Sequence, residues 1–278
     1  MKTSTRDNYQ FKTNQILDYI SANLHSPLKL DYLASLMNLS QRQLLRIIRK
    51  ELNESLYAYI ARERLQRAVM YMQTESISLI ELAERVGYSN AQAFSKAFKK
   101  QFGISPKAYN DKLKSKLISF TSHLDPAQTV LTAELCDIEG IELIYIRIIG
   151  QYGEEESYSR SWNKLTLFLK EKKLLSQTTR YFGISFDDPN VTAQNKCRFY
   201  ACASIDKEIA PIGEFGRIKI PQGKYARYTI EKGCTNHQMF YNSIAVNFPY
   251  KIRQSLIFEE YITEQDRTYT TKVYIPIY

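Results

Sequence analysis

Only three histidines, four cysteines, one tryptophan and ten glycines occur among the 278 residues. His25, His123 and His237 stand far apart, and Cys136, Cys197, Cys202 and Cys234 contain no Cys-x-x-Cys pair. A zinc site, a redox dithiol and a histidine-centred catalytic constellation are therefore not indicated, so no metal, cofactor or catalytic residue is expected. No run approaches the roughly 18 apolar residues of a membrane span. The start, MKTSTRDNYQ, lacks the apolar stretch of a signal peptide. A cytoplasmic chain with reduced thiols and no membrane partner is the expectation.

What is plentiful is positive charge, and it is confined to one half. Residues 1–120 carry 19 Lys and Arg against 10 Asp and Glu, whereas residues 121–278 carry 19 of each. The whole net charge of +9 belongs to the first half. A local basic field attracts a polyanion and makes its binding salt-dependent, which favours double-stranded DNA over a small substrate.

That basic half contains a repeat. The stretch SLIELAERVGYSNAQAFSKAFKKQFGISPKAY at Ser78–Tyr109 has a looser copy, KLDYLASLMNLSQRQLLRIIRKELNESLYAYI, at Lys29–Ile60. Leu44, Arg46, Ile48, Arg49, Lys50 and Leu52 meet Phe94, Lys96, Phe98, Lys99, Lys100 and Phe102 fifty positions later. Apolar matches apolar and basic matches basic, so a duplicated unit is expected.

Each copy reads as two short helices and a turn. In the second, Ile80, Ala83 and Val86 follow helical spacing, Gly87 stops the helix, and Ser89 is placed to cap the next one. Phe94, Phe98 and Phe102 fall at i, i+4, i+8 and must face the core, after which Gly103 ends the helix and Ser105-Pro106 opens another. In the first copy Ser40 is the cap, Leu44, Ile48 and Leu52 point inward, and Asn53 replaces the glycine while still tolerating a positive φ.

The outward stripes are Arg42, Arg46 and Arg49 in one copy, and Gln92, Lys96 and Lys99 in the other. Arginine reads guanine O6 and N7, and glutamine reads adenine N6 and N7, in the major groove. A single basic stripe is as readily a solvated helix face, but two register-matched stripes favour DNA reading. Between the copies, Ser55–Gln73 lacks Gly and Pro and predicts a helix of about 28 Å. Readers on such a strut can enter successive major grooves, about 34 Å apart, so one chain can bind as a monomer.

These residues resemble the DNA-binding domain of the AraC/XylS family of transcription regulators. The match rests on Leu79 to Ala83, Gly87-Tyr88-Ser89, the phenylalanine ladder, and Gly103-x-Ser105-Pro106-x-x-Tyr109. The resemblance implies base contacts from Arg42, Arg46, Asn90, Gln92 and Lys96, and activation by contact with RNA polymerase; Ser40, Arg49 and Lys99 complete the set of expected DNA-binding residues. Asn110 stands where the family often has arginine, which removes one phosphate contact. The N-terminal position of the domain is the Rob-like order, with a second domain behind it.

From about Val130 the chain turns to short β-branched and aromatic runs: IELIYIRIIG, RYFGISF, CRFYACASI, FGRIKI, YARYTI, LIFEEYI and TYTTKVYIPI. All read as strands, with helices at Tyr158–Lys173 and Gln238–Phe248. The expected fold is an all-α double helix-turn-helix domain over 8–112, a linker over 113–128, and an α+β domain over 129–278 with a duplicated strand-helix-strand-strand unit.

The second half resembles the gyrase-inhibitor-like effector-binding domain. It carries Gly150-x-Tyr152, Trp162-x-x-Leu165, Phe182-Gly183-x-x-x-Asp187-Asp188-Pro189, Phe199-Tyr200-x-x-Cys202, Pro221-x-Gly223-x-Tyr225, Phe258-Glu259-x-Tyr261 and Tyr274-Ile275-Pro276-Ile277. It departs at Phe240-Tyr241, where the family commonly has tryptophan.

Glu259 and Glu260 are adjacent on one strand and so point to opposite faces, one of them inward. A buried carboxylate needs a cation or hydrogen-bond donors. Ringed by aromatics, the family-matched Glu259 would favour an organic cation or an amphipathic small molecule. Tyr152, Trp162, Phe186 and Tyr228 are the other pocket candidates, although aromatics also simply build cores. The leading reading is a ligand-responsive, DNA-binding activator. The alternatives are a hydrolase using Glu259 as general base, and a DNA binder whose second half docks a protein and takes no ligand.

Overall fold

The computed structural model describes residues 5–122, 132–189, 191–207, 209–230, 240–241, 244, 248–253, 255–263 and 269–278. By contacts the chain divides into two units, one built on residues 16–131 and 236–251 and the other on residues 1–15, 132–235 and 252–278.

The first unit is helical throughout. It contains the C-terminal end, from Ile16, of α1 (Thr5–Ala22), together with α2 (Leu30–Leu36), α3 (Gln41–Leu52), α4 (Leu56–Thr74), α5 (Leu79–Arg85), α6 (Ala91–Phe102) and α7 (Pro106–Ser122). Two helix-turn-helix readers, α2–α3 and α5–α6, are joined by the 19-residue α4. The apolar stripe of α3 is buried: Leu44 and Ile48 pack with Leu33, Ile16, Leu17, Ile20 and Tyr59. In α6 the phenylalanine ladder forms a continuous ring stack. Phe94 and Phe98 have their centroids 5.5 Å apart, Phe98 and Phe102 4.4 Å, and Phe102 meets Tyr109 of α7 at 4.9 Å. Both recognition helices end in the left-handed region, Asn53 at φ 53° and Gly103 at φ 77°. Asparagine does in the first reader what glycine does in the second.

Two expectations are revised here. Asn90, not Ser89, is the N-cap of α6: its side chain accepts the Ala93 N–H at 2.8 Å. The turn before α6 is one residue longer than the turn before α3, which places Asn90, fifty positions after Ser40, at the cap. The expected linker over 113–128 begins as helix, since α7 runs on to Ser122; residues 123–131 lie outside the described residues.

The second unit is one eight-stranded antiparallel sheet with a helix on it. Its elements are β1 (Glu134–Ile138), β2 (Ile141–Ile149), α8 (Glu155–Glu171), β3 (Tyr181–Ser185), β4 (Arg198–Ser204), β5 (Phe215–Ile220), β6 (Gly223–Ile230), β7 (Phe258–Thr263) and β8 (Tyr269–Pro276). The strand order is β1-β6-β8-β7-β3-β4-β2-β5, which reads as two matching halves meeting where β7 pairs with β3. The expected duplication is present as β2-α8-β3-β4 and β6-β7-β8. The second helix, expected over Gln238–Phe248, falls largely outside the described residues; Phe240, Tyr241 and Ile244 are helical.

Each half also lends a strand to the other. β1 pairs with β6 rather than with the adjacent β2, and β5 pairs with β2 rather than with the adjacent β6. β1 was not foreseen, because ELCDI is an exposed edge strand without an apolar run. One face of the sheet carries a buried cluster with members from all eight strands, including Cys136, Tyr145, Phe182, Tyr200, Ile220, Tyr225, Phe258 and Tyr274. Only a curved sheet can bring all eight strands to one cluster. The opposite face packs Ile144, Ile146, Phe199, Ala201 and Ala203 under Leu165, Phe168 and Leu169 of α8.

Candidate DNA-reading surface and effector site

On α3 the side chains of Arg42, Arg46 and Arg49 are exposed, and on α6 those of Gln92, Lys96 and Lys99 are exposed likewise. None of these five cations has an ion-pair partner among the described residues. Ser40 forms a capping box: its Oγ accepts from the Gln43 N–H at 3.2 Å, while Gln43 Oε1 accepts the Ser40 N–H at 2.9 Å. Ser40 and Asn90 thus present the first turn of each recognition helix, and the oxygen of each is engaged by backbone. The helix N-termini and their basic stripes are suited to phosphate and base-edge contact respectively.

The strut is stiffened from within. Arg62 of α4 is buried and binds Glu54 at 2.8 Å and Glu63 at 3.0 Å. Their burial follows from their placement at the N-terminal end of α4 beside the core residues Leu56 and Tyr59.

In the sheet unit, Glu259 and Glu260 are both buried, at 6% and 7% exposure, where one inward carboxylate was expected. Both faces of β7 are covered, one by α8 and its aromatic neighbours and one by the all-strand cluster. Glu260 belongs to the cluster face. It is held by Arg180 Nε at 2.7 Å and by the Tyr274 hydroxyl at 2.7 Å. Burial alone would push its carboxyl up, but the hydrogen bonds from Arg180 and Tyr274 outweigh that and hold it below the usual glutamate range.

Glu259 belongs to the α8 face, and there it accepts from the Tyr261 hydroxyl at 2.7 Å. Opposite it in register is Gly183, where a Cβ would lie 2.2 Å from the Tyr261 hydroxyl. The missing side chain gives Tyr261 room to reach the carboxylate. Trp162 of α8 meets Tyr261 edge-on at 5.9 Å and Tyr181 at 6.1 Å, and Tyr158 packs on Phe199 at 4.8 Å. Burial pushes the Tyr158 phenol up, and the charge of Glu259 adds to the shift. Tyr158, Trp162, Tyr181 and Tyr261 are only half-buried, so the carboxylate sits beneath a partly open aromatic surface.

The five sequence-derived pocket candidates do not all meet. Trp162 and Glu259 share this cluster. Tyr228 lies on the same face two strands away on β6, opposite Val273 of β8, which in turn stands opposite Glu259. Tyr152 also packs on the α8 face, but its hydroxyl ties the loop at Asp187: it accepts the Asp187 N–H at 2.9 Å and sits 2.8 Å from the Asp187 carbonyl. Phe186 lies on the cluster face, between Tyr200 at 4.4 Å and the Arg198 guanidinium at 5.2 Å. The reading missed Tyr158 and Tyr261. Spacing could have found both, since Tyr158 is four residues before Trp162 on a helix and Tyr261 is two after Glu259 on a strand.

Comparison with known proteins places these two bodies. A family described as a helix-turn-helix domain matches residues 33–112, and the GyrI-like small molecule binding domain matches residues 132–278. The multiple antibiotic resistance protein MarA of Salmonella typhimurium is 30% identical over 106 residues, covering 38% of this chain and 84% of MarA. The transcriptional activator AarP of Providencia stuartii is 33% identical over 108 residues, 38% of this chain and 80% of AarP. The Msm operon regulatory protein of Streptococcus mutans is 34% identical over 102 residues, 37% of each chain. The chain therefore spans little more than a third of the length of that curated relative.

The class so defined is a DNA-binding transcription regulator with a small-molecule binding domain behind its reader. The chain belongs to the AraC/XylS family, in the Rob-like arrangement that couples the helix-turn-helix pair to a GyrI-like domain.

Proposed function

We propose that this chain activates transcription as a monomer on DNA, with residues 8–112 reading two successive major grooves and residues 129–278 sensing an amphipathic organic cation. The reading is carried by the two exposed stripes, Arg42/Arg46/Arg49 and Gln92/Lys96/Lys99, on recognition helices separated by α4. At 1.5 Å per residue its 19 residues measure about 28 Å, close to one DNA turn of about 34 Å. The name of AarP, a transcriptional activator, supports the activating role, and contact with RNA polymerase follows from that role. No catalytic step is assigned to the chain. Among the described residues no helix is long and apolar enough to cross a membrane, and the cytoplasm is the proposed location.

For the effector, the supporting observation is the buried Glu259 carboxylate under Trp162, Tyr158, Tyr181 and Tyr261. Aromatic faces and a carboxylate together attract an organic cation. The test is selection of bound duplexes from random DNA, with and without a panel of amphipathic cations and bile-salt-like anions. Enrichment of an asymmetric site spanning two turns supports the reader; no enrichment refutes it. Glu259→Gln should weaken cation binding about tenfold or more, and unchanged affinity would remove the anionic site.

A further inference from the structure

The helical unit contains a cavity of about 570 Å³ that DNA reading leaves unexplained. Its walls come from the α1–α2 turn, the strut and the second reader's turn: His25, Pro27 and Leu28 from the α1–α2 turn, Tyr57, Ile60, Ala61 and Arg64 from α4, and Gly87, Tyr88 and Ser89 from the α5–α6 turn. Two hydrogen-bonding groups there are incompletely used. The Tyr88 hydroxyl is buried without a partner. Arg64 gives Nε to the Leu24 carbonyl at 3.0 Å and Nη2 to the Ser26 carbonyl at 2.9 Å, and its guanidinium lies 5.8 Å from the centre of the Tyr88 ring. Its Nη1 has no protein acceptor among the described residues. A buried hydroxyl without a partner is costly, so native structures rarely keep one unless something else fills the need.

We propose that this cleft is a second small-molecule site, distinct from the effector domain, which takes a planar aromatic acid whose carboxylate or sulfonate bridges Tyr88 and Arg64. The volume lies in the range of about 300–1,000 Å³ usual for ligand pockets, and Leu28, Tyr57, Ile60 and Ala61 supply apolar walls for the rings. A bare phosphate would leave those walls unused. Burial disfavours the charge on Arg64, and an anion held against it would offset that cost. Glu84 is the one carboxylate on the wall, and it is exposed.

Position gives the site a consequence. Ser89 precedes Asn90, the cap of α6, and Gly87 fits so closely that a Cβ there would lie 2.2 Å from the Leu24 carbonyl of the α1–α2 turn. A ligand in the cleft wedges the second reader's turn against the α1–α2 turn that leads into the first reader, and so shifts DNA affinity by favouring one spacing of the readers.

The test uses the full chain and the fluorescent acid anilinonaphthalene sulfonate. Wild-type protein should bind the probe at this site, Ala61→Trp should remove that binding by filling the cleft, and Tyr88→Phe should weaken it roughly five- to tenfold while keeping the ring packing. Glu259→Gln should leave this site intact, which separates it from the effector domain. The probe should change the DNA dissociation constant of wild type at least threefold, and that of Tyr88→Phe only at proportionally higher probe concentration. Equal titrations for wild type, Ala61→Trp and Tyr88→Phe would overturn the proposal. So would displacement of the probe by equimolar inorganic phosphate, which would make the pair a phosphate contact, or an unchanged DNA affinity.

Discussion

Replacing Glu260 by glutamine probes the charge chemistry of the sheet most sharply. In the native protein its carboxylate is 7% exposed and accepts from Arg180 on β3's approach and from Tyr274 on β8, each at 2.7 Å. Hydrogen bonds to a charged group contribute about 1.5–3 kcal/mol each. Glutamine keeps one acceptor but loses the charge, and Arg180 has 43% of its side chain in water, so its part must be discounted for screening. A net loss of about 2 kcal/mol at neutral pH is expected.

The pH dependence fixes the cause. The folded-state pKa of Glu260 is depressed below the ordinary 4.5, so its contribution is complete above that value and is lost as pH falls through the folded pKa. Urea unfolding followed by the fluorescence of Trp162, the one tryptophan of the chain, reports on this unit directly. The gap between wild type and Glu260→Gln should be full at pH 7 and close as the solution is taken below about pH 4. A gap that stays constant with pH, or is absent at pH 7, would refute the reasoning.

Other substitutions test other parts. Phe98→Ala, at a fully buried position in contact with Phe94, Phe102 and Tyr109, should cost about 3–5 kcal/mol in the helical unit by chemical denaturation. Asn90→Ala should cost about 1 kcal/mol through loss of the α6 cap, whereas Asn90→Ser should restore it. A drop in DNA affinity for the stable Asn90→Ser protein would then report a base contact, and unaltered affinity would confine Asn90 to capping.

The helical unit was almost wholly legible in the sequence, because its signals are local. The stripe Phe94, Phe98, Phe102 repeats at helical spacing, and Asn53 and Gly103 mark helix ends by their backbone preferences. The cap of α6 was misplaced by one residue because Ser89 and Asn90 are both good caps, and only the length of the turn decides between them. Strands with apolar runs were legible too. The exchange of β1 and β5 between halves was not, since strand pairing is long-range and β1 has an exposed, mixed composition. The effector cluster was half legible. Alternation separates Glu259 from Glu260, but it cannot show that a curved sheet buries both, nor that Phe186 and Trp162 lie on opposite faces.

The central claim is that the basic stripes of α3 and α6 read bases, and Arg46→Ala tests it most directly. Affinities of wild type and variant should be measured on the selected site, on single-base variants under the α3 half, and on unrelated DNA, across a salt series. A loss of about 1–3 kcal/mol confined to one or two base pairs of that half, with binding to unrelated DNA little changed, is the predicted result. A uniform loss on all sequences with a shallower salt dependence would make Arg46 a phosphate contact and contradict the account.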